Sequence, residues 1–242
     1  MRGGGARRGE RPGSAEGLFE DIPVGAVVTA IRPTARDPTR CTIRVGRKTV
    51  ATLDRRRIDE LGVKPGDEWT SALAERVQGA VALSRAVADA MRSLSRRART
   101  RGQIIDGLVR KGHGRADAEA AAERLVELGL LDDRAYAEAA AREILARKPA
   151  GKRFIESKLR QRRVGRDLAA EVAGAATESR DELADALRLA TRRARALPGK
   201  LDGEAARRRL YGYLARRGFD GEVCRRAVEE ALEGRGGGDD AS

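Results

Sequence analysis

Three segments of the chain place apolar residues at the spacing of one helix face. They cover residues 104–112, 155–163 and 210–218, and in each an apolar residue is followed four positions later by a leucine: Leu108, Leu159 or Leu214. These leucines lie 51 and 55 residues apart. A period of this length is typical of stacked helical repeats, and repeat arrays usually bind other molecules.

The same periodicity predicts three helices in each of three repeats. In chain order, the predicted helices are 83–98, 101–111, 115–128, 133–148, 151–162, 166–174, 180–196, 203–217 and 221–232. Pro149 separates the first two helices of repeat two, and Pro198-Gly199 marks the same break in repeat three, because proline interrupts helical hydrogen bonding.

Residues near the start of the chain follow a different pattern. Runs rich in β-branched residues predict three short strands, at 27–31, 41–45 and 49–53. A short helix is expected at 55–61, where Gly62 stops it. A sheet this small is marginal alone, so it is expected to dock on the helices that follow.

The predicted fold class is therefore mainly α, with three tandem three-helix repeats in an elongated array after a small β-rich module. The predicted division is a flexible basic tail at 1–21, the β-rich module at 22–80, repeats at 81–131, 132–176 and 177–233, and a second flexible tail at 234–242.

The composition of the chain indicates where the protein is located and what class of partner it binds. Lys and Arg number 50 against 37 Asp and Glu, so the 242-residue chain carries a net charge of +13 and favours a polyanionic partner. Cys41 and Cys224 have no CxxC motif or secretory signal beside them, which favours free thiols in the cytoplasm. No apolar run approaches the roughly 20 residues of a membrane span, so no membrane association is expected.

The charges alternate in step with the repeats. The net charge is +6 over residues 95–115, −5 over 116–146, +8 over 147–166, −5 over 167–187 and +8 over 188–217. Each basic block covers the end of a first helix, the loop after it and the second helix. A genome that favours arginine codons would explain the number of arginines, but not their positions.

If the repeats stack in similar orientations, the basic blocks line one side of the array. The candidate residues for binding a partner or nucleic acid are Arg96, Arg97, Arg99, Arg101, Lys111, Lys152, Arg153, Lys158, Arg160, Arg162, Arg163, Arg192, Arg193, Arg195, Arg216 and Arg217. The alternative is that the blocks are solvated helix faces whose cations pair with carboxylates one turn away.

Four aromatic residues lie in or beside the basic blocks: Phe154, Tyr211, Tyr213 and Phe219. We expect most of them to pack in the core. Contact with phosphate therefore fits the basic blocks better than base reading, which in single-stranded binders usually relies on aromatic stacking.

The sequence offers little for catalysis or metal binding. His113 is the single histidine and the two cysteines lie far apart, so no usual zinc set is available, and a Ser-His-Asp triad has no evident partner set. Asp132 and Asp133 are interpreted as helix caps. No enzyme activity, cofactor or metal is expected.

One stretch of the chain is specific enough to indicate a family. A Gly-Leu-Leu-Asp-Asp run at 129–133 is followed by Tyr136-Ala137, Arg142, Gly151 and an Ile-x-x-x-Leu pattern at 155–159. This succession resembles the centre of the RecX family, bacterial regulators of the RecA recombinase. Residues 94–100 resemble the opening of that family's first repeat and residues 214–219 its last repeat, so the resemblance covers about 81–232.

The resemblance implies tandem three-helix repeats and a non-enzymatic protein. It also implies binding to RecA and to the RecA filament on single-stranded DNA, usually with inhibition, in DNA repair and the SOS response. A monomer is expected, and direct contact with DNA stays open. This sequence departs from the family's pattern at two positions that bear on geometry. Arg163 replaces the glycine commonly found after the second repeat's middle helix, so that helix either continues or turns differently. Pro149 lies in a loop whose length varies.

Two other classes of function stay open. The first is a free-standing DNA- or RNA-binding protein whose helix pairs dock like helix-turn-helix units. The second is a scaffold without a nucleic-acid role, whose charge reflects codon usage alone.

Overall fold

A computed structural model describes residues 19, 21–198 and 201–236, with the side chains of 235 and 236 excepted. The described elements are β1 Val28–Pro33, β2 Arg40–Val45, β3 Lys48–Asp54, α1 Arg55–Leu61, α2 Ser71–Leu94, α3 Arg101–Arg110, α4 Arg115–Glu127, α5 Asp133–Arg147, α6 Lys152–Gln161, α7 Arg166–Glu178, α8 Glu182–Arg195, α9 Gly203–Arg216 and α10 Gly221–Gly236. The predicted tails at 1–21 and 234–242 lie largely outside the described residues.

The β-rich module is an antiparallel meander in the order β1-β2-β3. Ile43 of β2 lies opposite Ile31 of β1 and opposite Ala51 of β3. Alternate residues of β2 are buried, as expected for a sheet with one face packed and one face in solvent. After α1, Gly62 takes a left-handed conformation at φ 69°, which glycine adopts without the steric cost of a Cβ. The predicted sheet and short helix are confirmed.

The first long helix begins earlier than the sequence indicated. The prediction placed its start at residue 83, but α2 begins at Ser71, where the Thr70 side chain accepts a hydrogen bond from the amide of Leu73. The first turns of α2 bury Leu73 and Val77 against the sheet. The later turns bury Ala86 and other residues in the core of repeat one. Residues of α2 therefore belong to two cores, and the apolar periodicity of repeat one starts only in the second half of this helix. The predicted boundary between residues 80 and 81 falls inside α2.

The remaining helices lie close to their predicted positions. α7 extends four residues beyond the predicted end at 174, and α10 extends four beyond 232. Each repeat builds its own core from alanines and a few larger aliphatic side chains, including Leu108, Leu159 and Leu214. All three leucines are nearly or fully buried. Three three-helix repeats after a small sheet confirm the predicted fold class.

The chain divides into two compact units, which are described separately. The first contains the described residues up to 98 together with 103–131, and the second contains residues 99–102 and those from 132 onward. Repeats two and three therefore belong to the same unit.

The single histidine has a structural position in the first unit. His113, just before α4, lies with its Nε2 2.9 Å from Asp89 Oδ2 on α2. Arg92 also forms an ion pair with Asp89, and Lys111 Nζ lies 3.8 Å from Asp89 Oδ1. Burial acts to raise the pKa of Asp89, but its hydrogen bond with His113 and the nearby Lys111 and Arg92 outweigh it, so this pKa lies below its ordinary value.

We expect Asp89 to contribute to acid sensitivity of the first unit. Because its pKa is lower folded than unfolded, its stabilising effect is present above about pH 4 and is lost as the pH falls through the folded value. Asp89→Asn should therefore lower the melting temperature at pH 7, and the difference from the parent protein should shrink as the pH falls below about 4. Thermal unfolding followed by circular dichroism across this range measures the difference, and an unchanged gap at pH 3 would contradict the expectation.

Candidate nucleic-acid interface

Two residues after the end of each repeat's middle helix, the chain has a residue with left-handed backbone. These residues are Gly112, Arg163 and Gly218, with φ of 94°, 64° and 79°. The sequence left open whether Arg163 in place of glycine lets α6 run on or turn differently. In the structure α6 ends at Gln161, and Arg163 adopts the glycine-like conformation. The turn is thus kept, at a steric cost of roughly 1–2 kcal/mol for a residue with a Cβ.

The second unit contains two contacts that are equivalent in the repeat register. The Thr100 hydroxyl donates to the Arg162 carbonyl at 2.8 Å, and the Gly151 amide donates to the Arg217 carbonyl at 2.9 Å. Each donor lies eight residues before the leucine of one repeat, and each acceptor lies three residues after the leucine of the next. The start of one middle helix is thus tied to the end of the following one.

These contacts demand small residues. A Cβ added at Gly102 would lie 2.7 Å from the Arg163 Cβ, and one added at Gly151 would lie 2.2 Å from the Gly218 carbonyl oxygen. Real Cβ atoms do not approach other atoms so closely. Glycine is required at these positions because backbones or backbone-proximal atoms meet directly.

Arg217 holds the loop between α5 and α6. Its guanidinium donates through Nη2 to the Lys148 carbonyl at 2.9 Å and through Nε to the Pro149 carbonyl at 3.1 Å. It also lies over the Phe154 ring, 4.4 Å from the centroid. Burial lowers the pKa of Arg217. The guanidinium is therefore committed to the contact between repeats two and three, and Pro149 lies in a loop fixed by it.

Two half-buried aromatic rings at this contact lie beneath four cations. Lys148 and Arg193 lie 5.2 and 5.9 Å from the Tyr213 ring centroid, and Lys158 and Arg217 lie over Phe154 at 5.4 and 4.4 Å. Lys148, Phe154 and Lys158 belong to repeat two, and Arg193, Tyr213 and Arg217 belong to repeat three. We call these six residues the junction cluster. Cations from two repeats meet in it.

The other two aromatic residues of the basic blocks differ in their exposure to solvent. Phe219 is 2% exposed and packs in the core of repeat three, as expected from the sequence. Tyr211 is 39% exposed. Phe154 and Tyr213 are covered by cations rather than open for base stacking.

Several cations of the second unit have no carboxylate within 4 Å among the described residues. They are Lys148, Lys152, Lys158, Arg160, Arg192, Arg193, Arg195 and Arg216. By contrast, Arg147, Arg208 and Arg225 each pair with a glutamate one turn away on their own helix. The alternative considered from the sequence, solvated helix faces whose cations pair with carboxylates one turn away, therefore describes these last three arginines. The cations of the first group can instead pair with negative charges of a partner.

The remaining candidates from the sequence have other surroundings. Arg153 lies 3.5 Å from Asp220, and Arg162 lies 3.6 Å from Glu143. Arg96, Arg97 and Lys111 belong to the first unit, whereas Arg99 and Arg101 belong to the second. A single stripe that includes all three repeats stays a prediction. Lys148 was missed by sequence reasoning, although it lies inside the +8 block at 147–166.

Of the two aspartates singled out from the sequence, Asp132 caps the next helix, as predicted, and Asp133 binds the start of another helix. Asp132 accepts a hydrogen bond from the Ala135 amide at 2.9 Å and so caps α5. Asp133 accepts one from the Arg101 amide at 2.7 Å, at the start of α3, and burial raises its pKa. In the part of the chain that the structure describes, no cluster of three or more histidine, cysteine or acidic residues could hold a metal ion.

The fold and the surface define a class: a helical-repeat protein with a small N-terminal sheet and a basic surface formed by adjacent repeats. No described helix has the length and apolar character that a membrane crossing requires. Sequence profiles of the first, second and third three-helix domains of RecX match residues 86–125, 132–172 and 180–228.

Relatives of known sequence agree with the profiles. The regulatory protein RecX of Thermobifida fusca is 37% identical over 153 residues, which cover 63% of this chain and 82% of the relative. That of Chlorobium phaeobacteroides is 32% identical over 141 residues, covering 58% and 89%. The chain belongs to the RecX family of regulatory proteins.

Two solved structures support the same fold. A crystal structure of regulatory protein RecX superposes with a TM-score of 0.68 at 21% identity, covering 85% of this chain and 99% of the other. RecX from Lactobacillus salivarius gives a TM-score of 0.52 at 19% identity, covering 63% and 97%.

Proposed function

We propose that this protein is a non-enzymatic regulator that binds RecA and its filament on single-stranded DNA and inhibits the recombinase, within DNA repair and the SOS response. The proposal is supported by membership of a regulatory family and by the residues quoted in the sequence analysis. The observation that carries it is the junction cluster, in which cations from repeats two and three converge without nearby carboxylates.

The geometry suits a long, repetitive, anionic partner. Cations on adjacent repeats contact successive negative groups, whether phosphates or acidic side chains of consecutive subunits. Each exposed ion pair contributes roughly 0.2–1 kcal/mol, so useful affinity requires many of them. A protein bound across several subunits restrains their rearrangement, and that restraint is the proposed origin of inhibition.

The proposal predicts salt-sensitive inhibition of RecA. Added at increasing concentration, the full chain should suppress RecA ATP hydrolysis on single-stranded DNA, and the concentration for half-inhibition should rise steeply with salt. RecA alone at each salt concentration is the reference. Absence of inhibition at every salt concentration would refute the proposal.

A free-standing nucleic-acid binder is the second candidate, favoured by the same cations that lack carboxylate neighbours. Such a protein binds DNA equally well with and without RecA. Measuring its retention on single-stranded DNA in the presence and absence of RecA and nucleotide separates the two candidates.

A further inference from the structure

The solvent-facing side of the N-terminal sheet has a consistent chemistry. Side chains alternate between the two faces of a strand, and β2 buries Cys41, Ile43 and Val45 on its packed side. Its other side carries Arg40, Thr42 and Arg44. The neighbouring strands place Arg32 and Thr52 opposite Thr42, and Thr49 opposite Arg44. We call this surface the sheet face, and its defining side chains are Arg32, Arg40, Thr42, Arg44, Thr49 and Thr52.

The arginines of the sheet face form no close ion pair, although Asp37, in the loop before β2, is near enough to Arg40 to interact with its charge. Among the described residues, none of Arg32, Arg40 and Arg44 has a carboxylate within 4 Å; the ion pairs of this module are those of Lys48, Arg55 and Arg57. The three strands contain one acidic residue, Asp54, which registers opposite Arg40 at a corner of the sheet. The sheet face therefore has a clear positive excess.

Backbone carbonyls orient two of these guanidinium groups. Arg40 donates through Nη2 to the Thr52 carbonyl at 3.0 Å, and Arg44 donates through Nη2 to the Arg47 carbonyl at 2.7 Å. Each arginine keeps further N–H donors for a ligand, since a guanidinium carries five. Arranging these side chains in advance lowers the entropic cost of binding.

We propose that the sheet face is a second binding surface, specific for the phosphodiester backbone of nucleic acid. It is separate from the junction cluster and does not rest on the function proposed above. The guanidinium forks match phosphate oxygens bidentately, and threonine hydroxyls are common donors to nucleic-acid phosphates. Thr49 and Thr52 offer such donors, whereas the Thr42 hydroxyl already donates to the Arg32 carbonyl at 3.2 Å. Alternate residues along a strand lie roughly 7 Å apart, a separation comparable with that of successive phosphates along one strand.

The composition of the sheet face also indicates that it does not recognise base sequence. The three strands contain no aromatic residue on which a base could stack. Contacts limited to phosphates carry no direct sequence information. Binding at the sheet face is therefore independent of base sequence and strongly dependent on salt.

A matched pair of variants in the full chain tests the proposal. The first, Arg32→Gln/Arg40→Gln/Arg44→Gln, removes three charges from the sheet face. The control, Arg55→Gln/Arg56→Gln/Arg57→Gln, removes three charges from α1 of the same module. Circular dichroism and thermal unfolding confirm that both fold, and fluorescence anisotropy of a labelled oligo-dT strand, without RecA, measures affinity from 50 to 300 mM salt.

The sheet-face variant should bind about tenfold more weakly at low salt, and its logarithmic salt slope should fall by about 2, because each lost single-strand phosphate contact removes about 0.7. The control variant should stay close to the parent protein. Equal losses in both variants, or a loss in neither, would overturn the proposal. So would a sheet-face variant that binds poly-glutamate less well but oligo-dT normally, because that outcome assigns the surface to an acidic protein.

Discussion

Replacing Gly218 with alanine is expected to lower the free energy of unfolding of the second unit by about 3–5 kcal/mol. Two costs combine. The backbone of Gly218 has φ 79°, which an L-residue adopts only with strain. In addition, the new Cβ would lie 2.1 Å from the Phe154 amide nitrogen. Because that neighbour is backbone, it cannot move aside without separating α6 from the end of α9.

Two control substitutions separate these costs. Gly203→Ala, at the start of α9, adds a Cβ in open space at ordinary φ, so its unfolding free energy should stay the same or rise slightly. Gly129→Ala, in the first unit, adds a Cβ in open space at φ 67° and should lower the free energy of unfolding of that unit by about 1 kcal/mol. Urea denaturation followed by far-UV circular dichroism measures all three. A Gly218→Ala cost equal to that of Gly129→Ala would show that the two repeats are not in close backbone contact.

The helices were predictable because each repeat buries its own apolar face. The spacing around Leu108, Leu159 and Leu214 reports a core that forms between helices close in sequence. The start of α2 was not predictable in this way. Its first turns pack on the sheet, so their apolar positions follow the shape of the sheet rather than the period of the repeat.

The candidate site was predictable in composition but not in detail. Alternating charge identified the basic blocks, and Lys158, Arg193 and Arg217 were among the residues named. The proximity of Lys148 to Tyr213 depends on the contact of Gly151 with Arg217, which lie 66 residues apart. Periodicity along one chain segment carries no information on such a contact. The sequence also gave no sign that Arg217 is held by carbonyls, which makes it a structural residue rather than a free cation.

Neutralising the junction cluster should remove most of the inhibition of RecA. The variant Lys148→Gln/Lys158→Gln/Arg193→Gln leaves Arg217 in place, so the contact between repeats two and three keeps its hydrogen bonds. If each lost cation removes one exposed ion pair of roughly 0.2–1 kcal/mol, the concentration for half-inhibition of RecA ATP hydrolysis should rise by about 3- to 150-fold. The three cation–π contacts are also lost, which lowers stability by about 0.5–1 kcal/mol each, so folding is verified by thermal unfolding.

A variant of equal charge tests whether position or net charge matters. Arg147→Gln/Arg208→Gln/Arg225→Gln also removes three positive charges from repeats two and three, but each of these arginines already pairs with a glutamate on its own helix. It should inhibit RecA nearly as well as the parent protein. If both variants weaken inhibition equally, the long-range field of the protein determines binding, and the junction cluster has no specific role. If the junction variant loses single-stranded DNA binding to the same extent with and without RecA, its contacts are with the DNA itself. A loss confined to assays with RecA present would instead assign the cluster to the recombinase surface, because only the partner differs between the two measurements.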